Sequence, residues 1–320
     1  MSSADKLTIL ITGCSPGGMG AALALAFHSA GHRVYATARN PSKLSPLADQ
    51  GIQTLTLDVT STASIASAVT AVTASFPTTK KGLDMLINNA AGSYTMPIAD
   101  ASLRAARELF DLNVWAQLAV TQAFLPLLLL RSTTTEGSTP SISYPPTIVN
   151  HTSVGSVAAL PFQGIYNASK AALAMLSQTL RMELAPFDVR VIDLKTAGVK
   201  TNMIANNHFN RSRPGTGTGN NAADEARGLP AGSIYAPARE VVERAMSQEA
   251  LLERGISADQ WAAEVVGVLL GRNPPAVIWK GESATVARVA TAVPCGLMEG
   301  MVKKMTGLTE VEEIIRKGRV

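Results

Sequence analysis

This chain is poor in charge. Only 16% of its 320 residues are Asp, Glu, Lys or Arg, against about 25% in average soluble domains. Neither sign dominates, since 28 basic and 24 acidic residues leave a net charge of +4. No block of five Lys/Arg residues occurs, so no nucleic-acid partner is expected. Aromatic residues are also scarce, at 5%, which disfavours stacking platforms for single strands. Two cysteines, Cys14 and Cys295, are too few for a disulfide framework, and their spacing offers no zinc site. No metal is expected. The oiliest run, Ala119 to Leu130, is interrupted by Gln122 and Pro126 and is too short to span a bilayer. The short polar start, Met1 to Lys6, predicts no secretory signal. These absences leave a cytoplasmic protein, free or peripherally in contact with a lipid surface.

What is abundant is apolar residue, at 46%, enough for a large core and too much for global disorder. It comes in short runs: Leu7–Ile11, Val34–Thr37, Ile52–Leu57, Met85–Asn88, Thr147–His151, Val189–Leu194 and Ala276–Trp279. Most are apolar throughout rather than alternating, as strands covered on both faces require. Helical stretches lie between them, near Met19–Ala30, Ser61–Phe76, Ala105–Leu130, Tyr166–Ala185 and Ala258–Leu270, the last preceded by a Ser257-Ala-Asp-Gln260 capping pattern. The alternation predicts an α/β fold: one Rossmann-type, doubly wound parallel sheet of about seven strands flanked by helices. Residues 1–280 form this catalytic unit and 281–320 a C-terminal helical extension, in which Thr309-Glu-Val-Glu312 is read as capping a final amphipathic helix. Ser132–Pro146 reads as an exposed loop and Asn206–Ser233, rich in Gly, Asn and Pro, as a substrate lid.

The first strand runs into Thr12-Gly-Cys-Ser-Pro-Gly-Gly-Met-Gly20 and then an Ala/Leu helix. Gly13, Gly17, Gly18 and Gly20, with Met19 among them, permit a tight turn and close backbone approach to a pyrophosphate. The helix then presents its N-terminal amides and positive dipole end to it. A dinucleotide site for NAD places an acid about twenty residues further on, to accept from the ribose 2′-hydroxyl. Here the second strand ends Thr37-Ala-Arg-Asn40, with no acid. Arg39 offers a guanidinium fork to a 2′-phosphate, and Ser15 a hydroxyl, so NADP(H) is the expected cofactor.

Tyr166-Asn-Ala-Ser-Lys170 opens a long helix, and a spacing of four puts phenol and ammonium on one face. Ser153 closes the fifth strand, in Ile148-Val-Asn-His-Thr-Ser153, at the strand end where such sheets present groups to ligands. Together they suit carbonyl reduction: Ser153 holds the carbonyl oxygen, Tyr166 gives it a proton, and Lys170 lowers the phenol's proton affinity. Among the remaining polar residues, His151 reads as a satisfied core histidine, Cys14 as a turn filler, His28 and His32 as solvated, and Trp261 and Trp279 as core.

With these residues in place the chain resembles the short-chain dehydrogenase/reductase family over nearly all of residues 7–280. The glycine turn, Asp58-Val59, Asn88-Asn-Ala90, Asn113, Ser153 and Tyr166-x-x-x-Lys170 fall in family order. The resemblance implies a catalytic tetrad of Asn113, Ser153, Tyr166 and Lys170, in which Asn113 maintains a water-linked proton path. It implies that Tyr166 and Lys170 also meet the cofactor, Lys170 through the nicotinamide ribose. Asp58 and Val59 would meet the adenine, Asn88 and Ala90 the ribose side, Val199 the nicotinamide wall and Thr201 the carboxamide. Two departures stand out. Asn88-Asn-Ala-Ala91-Gly92 carries an added methyl, and Ala197-Gly198 replaces the usual Pro-Gly, which predicts a less rigid wall. The turn Gly-Gly-Met-Gly20 and the tail Ile278-Trp-Lys-Gly-Glu-Ser283 are similar to fungal acyldihydroxyacetone-phosphate reductase-like members, which act on lipid or polyketide ketones. A bulky, mainly apolar ketone is therefore expected, walled by Tyr94, Leu160, Phe162, Val199 and Met203. The family implies a homodimer or homotetramer. A non-redox enzyme or an NADP(H)-binding module on the same fold stands as the alternative.

Overall fold

The computed structural model describes residues 6–76, 82–132, 144–204 and 228–318. Much of the expected lid and of the loop after Ser132 lies outside the described residues. Nine strands are described: β1 (Thr8–Ile11), β2 (Arg33–Ala38), β3 (Gln53–Thr56), β4 (Met85–Asn88), β5 (Thr147–His151), β6 (Arg190–Thr196), β7 (Val199–Lys200), β8 (Ile256–Ser257) and β9 (Val277–Lys280). Seven form one parallel sheet in the order β3-β2-β1-β4-β5-β6-β9, and β7 pairs with β8 apart from it. The expected doubly wound sheet is the one found.

Continuous apolar runs become two cores because successive side chains point to opposite faces. Ile9, Ile11, Ile87, Val149, Ile192 and Leu194 pack on one face with α1 (Met19–Ser29) and α8 (Ala258–Leu269). Leu10, Leu86, Ile148 and Val191 pack on the other with α3 (Thr62–Ala74) and α5 (Ala116–Ser132). The one-turn α2 (Ser45–Ala48) follows β2, and α6 (Gly164–Glu183) joins β5 to β6. Ser61 and Ser257 cap α3 and α8 by accepting from Ser64 N–H and Gln260 N–H.

The stretch expected as one helix from Ala105 is two, α4 (Leu103–Phe110) and α5, joined by a π turn over Asp111–Trp115. From Leu103 to Leu130 it is long and apolar enough to cross a membrane, yet half of its most apolar stretch is buried inside the protein. After β8 and β9 come α9 (Ala284–Ala290), α10 (Cys295–Met305) and α11 (Leu308–Lys317). The Thr309–Glu312 capping pattern does not start α11. Gly307, with φ of 78°, turns the chain into Leu308 with no side-chain cap, and Thr309 lies inside the helix. An additional helix, α7 (Arg239–Ser247), packs with α11 and with Tyr94, Phe162 and Tyr166 in a third cluster.

Candidate active site

The crevice opens between β1 and β4, where the strand order reverses, and the carboxyl ends of β1, β4, β5 and β6 supply it. The turn after β1 is held from both sides. Thr12 Oγ1 accepts from Asn89 N–H and Ala90 N–H, each at 2.9 Å. Gly13 has φ of 74°, and a Cβ there would stand 2.8 Å from the Ala90 backbone. Only glycine allows that approach, which packs the turn against the end of β4, and the backbone amides that follow at the α1 N-terminus suit a dinucleotide pyrophosphate. Half-buried Ser15 accepts from Gly18 N–H at 3.1 Å through its carbonyl. Gly17, Gly18, Met19 and Gly20 lead from there into α1.

Arg39 stands exposed just beyond β2. Asp58, after β3, accepts from Thr60 N–H at 3.0 Å and Thr60 Oγ–H at 2.7 Å. Burial would raise its carboxyl, but these hydrogen bonds and the nearby Arg39 charge outweigh it and hold it below its ordinary range. Val59 beside it is buried. Asn88 turns inward: its amide donates to Thr121 Oγ1 at 2.8 Å and Asn150 Oδ1 at 2.9 Å. What the β4 end offers the crevice is backbone at Asn89 and Ala90, with the Ala90 carbonyl itself bonded by Gln117.

Sequence reasoning passed over Asn89, the hub of this region. Its Nδ2 donates to Thr12 O at 2.7 Å and Gly13 O at 3.1 Å. Its Oδ1 is therefore left to accept from His151 Nδ1 at 2.9 Å, which puts the imidazole hydrogen on Nδ1 and lets Nε2 accept from Thr196 Oγ1 at 2.7 Å. Stacked on Trp261 at 5.2 Å and buried, His151 is driven down to about 3 by desolvation and then by the Lys170 charge. It is a neutral core histidine, as expected. Cys14 is also inert, its thiol pushed up to about 12 by burial. His32 is not solvated, because it is buried and accepts from Leu7 N–H at 3.2 Å. Trp261 is fully buried, whereas Trp279 is only half-buried.

Ser153, Tyr166 and Lys170 converge. Ser153 caps the short turn Val154–Ser156 by accepting from Gly155 N–H at 3.1 Å, and its hydroxyl lies near enough to the Tyr166 phenol to favour the ionised form. Lys170, 2% exposed, donates to His151 O at 2.9 Å and lies 6.0 Å from the Tyr166 ring centre. Burial lowers it to about 8 against the opposing pull of Asp193. Burial raises the Tyr166 phenol, with the Ser153 hydrogen bond working the other way. The expected acidification by Lys170 is thus absent from this structure, because the ammonium is turned to a carbonyl rather than to the phenol. Asn113 sits in the π turn, a device that often marks functional sites. Its amide donates to Gly92 O at 3.1 Å and Ser169 Oγ at 3.0 Å and accepts from Gly92 N–H at 2.8 Å.

On the apolar side, Tyr94 and Phe162 are buried with Tyr166, while Leu160 and Met203 are half-buried. The Tyr94 hydroxyl accepts from Ser102 N–H at 3.0 Å. Phe162 adopts φ of 64°, a sparsely populated conformation for a bulky residue, and packs edge-on to Tyr235. Beyond β6, Thr201 Oγ1 accepts from Met203 N–H at 3.3 Å, and Asn202 ties this strand to the glycine turn through Gly17 O and Pro16 O. The predicted slack at Ala197-Gly198 is not found. Gly198 exchanges two backbone hydrogen bonds with Glu282, and half-buried Val199 pairs with Ile256 in the β7–β8 ladder.

Fold and crevice together fit a nicotinamide-nucleotide oxidoreductase. The short chain dehydrogenase family matches residues 7–211. The chain is 47% identical over 316 residues to a short-chain dehydrogenase/reductase of Pestalotiopsis microspora, covering 99% of each. It is 34% identical over 310 residues to the NADPH-dependent 1-acyldihydroxyacetone phosphate reductase of Schizosaccharomyces pombe, covering 94% of each. A short-chain dehydrogenase structure from Streptomyces avermitilis superposes with a TM-score of 0.69 at 25% identity, over 99% of this chain and all of that one. The chain belongs to the short-chain dehydrogenase/reductase family, whose members act on CH–OH and C=O groups of small molecules.

Proposed function

We propose that the chain is an NADPH-dependent ketoreductase acting on a bulky, mainly apolar ketone of lipid or secondary-metabolite type. The observation that carries this reading is the placement of the Tyr166 hydroxyl. It meets Ser153 on one side, while its ring belongs to an apolar cluster with Tyr94, Met96, Phe162 and Leu229. When bound, the nicotinamide supplies the hydride. Ser153, whose oxygen accepts from Gly155 N–H, has one hydroxyl hydrogen, which passes from the Tyr166 oxygen to a substrate carbonyl oxygen when a ketone binds. Tyr166 then gives that oxygen its proton, and a phenol held above its ordinary value carries the proton throughout the neutral range. Lys170 contributes its charge beside the phenol and a donor for the nucleotide ribose. The opposite direction uses the same atoms. Arg39 and the lack of an acid at the end of β2 support NADPH over NADH, as does the printed activity of the Schizosaccharomyces pombe relative. Exposed Trp115, Met175 and Met182 on the π turn and α6 support a homo-oligomer.

The test is NADPH oxidation with a panel of ketones. Tyr166→Phe is expected to lower the rate about 10²–10⁴-fold, the usual worth of a positioned general acid, with nucleotide affinity nearly unchanged. Arg39→Ala should weaken NADPH binding by roughly 1.5–3 kcal/mol and leave NADH alone. A Tyr166→Phe enzyme keeping most of its turnover would replace this reading with the non-redox alternative. Equal losses for both nucleotides would remove Arg39 as the phosphate partner.

A further inference from the structure

Strand β6 carries two charged side chains where a buried parallel strand has apolar ones. Asp193 and Lys195 are 2% and 4% exposed and share the face of β6 that Val191 turns toward the second core. They form an ion pair of 2.7 Å. Each also reaches the segment that carries Ser153. Asp193 Oδ1 accepts from Thr152 Oγ–H, and Lys195 Nζ donates to Ser156 Oγ at 2.8 Å. The half-buried Trp279 ring lies under the Lys195 ammonium, 5.7 Å away, on the neighbouring strand.

We infer that Asp193 and Lys195 are positioning residues of the active site, clamping the serine turn at both ends and setting from behind the charge that Lys170 experiences. The inference deepens the reductase reading and rests on it for the turnover measurements below. Burying an ion pair is costly, and replacing one with apolar residues is often neutral or stabilising. Its presence here therefore calls for a purpose other than fold stability. Thr152 and Ser156 bracket Ser153, so a pair gripping both fixes the direction of the Ser153 hydroxyl without touching it. The electrostatic part follows from location: Asp193 is the group that opposes the desolvation of Lys170.

Few other charges compete with it. His151 on β5 is neutral above about 3. Lys280 on β9 is paired with Glu264 on α8 at 3.2 Å. Glu282 beyond β9 and Arg288 on α9 are exposed. Asp193 and Lys195 are buried charges on β6, the strand paired with β5, whose His151 carbonyl holds the Lys170 ammonium.

The two charges predict opposite effects. Lys195→Met removes a cation, so Lys170 should hold its proton to higher pH. Asp193→Asn removes an anion, and Lys170 should release its proton at lower pH. The experiment follows NADPH binding by its fluorescence, and ketone reduction by absorbance, on either side of the Lys170 value of about 8. Midpoints are expected to move about half to one pH unit upward for Lys195→Met and downward for Asp193→Asn. The double variant should return toward the wild type. Ser156→Ala, which keeps both charges and loses one grip on the turn, should lower kcat several-fold without moving either midpoint or KM. Shifts of the same sign in both single variants, or none in folded protein, would overturn the charge-setting role. A Ser156→Ala enzyme with wild-type kcat would overturn the clamp. The binding titration needs no turnover, so a failure of the ketoreductase reading would leave these outcomes readable. Should one single variant fail to fold, the direction of the shift in the other decides the charge-setting role, and Ser156→Ala decides the clamp.

Discussion

At the scale of single residues, the site depends on polar side chains that are buried, and their proton affinities follow. His151 shows this most clearly. It titrates at about 3 in the folded chain against 6.5 unfolded, so between those values the unfolded state binds a proton that the native state refuses. Stability therefore rises with pH across that window: it is fully present above about 6.5 and lost as pH falls toward 3. The full shift corresponds to several kcal/mol, of which pH 5 removes roughly 2 kcal/mol at about 1.4 kcal/mol per unit. Urea denaturation between pH 7 and pH 4 checks it. A His151→Gln protein should be less stable at pH 7 but show a flatter dependence, and parallel curves would place the acid sensitivity elsewhere. Tyr166 and Lys170 are read in sequence from a spacing of four, because a helix brings such residues together locally. Asn89 and His32 are not readable that way. Their partners, Thr12 and Gly13 for one and Leu7 for the other, are supplied by distant chain.

At the scale of elements, the segment after β6 is held by strand pairing rather than by proline. The β7–β8 ladder and the Gly198–Glu282 bridge hold the segment after β6, and both need close backbone approach. Gly255 has φ of 104°, and a Cβ there would stand 2.7 Å from the Gly198 carbonyl carbon and from Val199 N. Gly255→Ala should therefore destabilise the protein by more than about 1 kcal/mol and weaken nucleotide binding. Gly267 is the opposite case: it lies inside α8 with nothing within 4 Å of an added Cβ. Gly267→Ala should stabilise by about 0.5–1 kcal/mol, the usual helix preference for alanine. Thermal unfolding of the two variants should separate in sign, and a neutral Gly255→Ala would show that the ladder is dispensable.

Sequence patterning located all seven sheet strands because continuous apolar runs are their own signal. Their ends moved by a residue or so, since strand ends are decided by neighbours. Helix α7 was missed because Arg239-Glu-Val-Val-Glu-Arg244 shows more charge than apolar face. The π turn and the two-residue β7 and β8 carry no pattern at all. Asp193-x-Lys195 was visible as a polar interruption at strand spacing, but what it would meet was not.

At the scale of the whole molecule, the C-terminal helices belong to the site's surroundings. Val311 of α11 is 1% exposed and lies in the cluster that contains Tyr166, Phe162, Val241 and Val242. Arg244 of α7 pairs with Glu310 at 3.4 Å on the surface above it. The exposed pair contributes little, so the attachment of α11 is carried by apolar burial. Val311→Ala removes two buried methyl-sized groups, worth about 2 kcal/mol with the cavity they leave. Lys317→Ala, exposed on the same helix, should stay within about 0.5 kcal/mol of the parent. Because the cluster also seats the Tyr166 ring, Val311→Ala should lower turnover together with the unfolding temperature, while Arg244→Ala should lower neither. A Val311→Ala protein that melts with the parent would mean that α11 is attached by something other than this contact. One that melts early but turns over normally would mean that the Tyr166 ring is held by Tyr94 and Phe162 without help from the C-terminal helices.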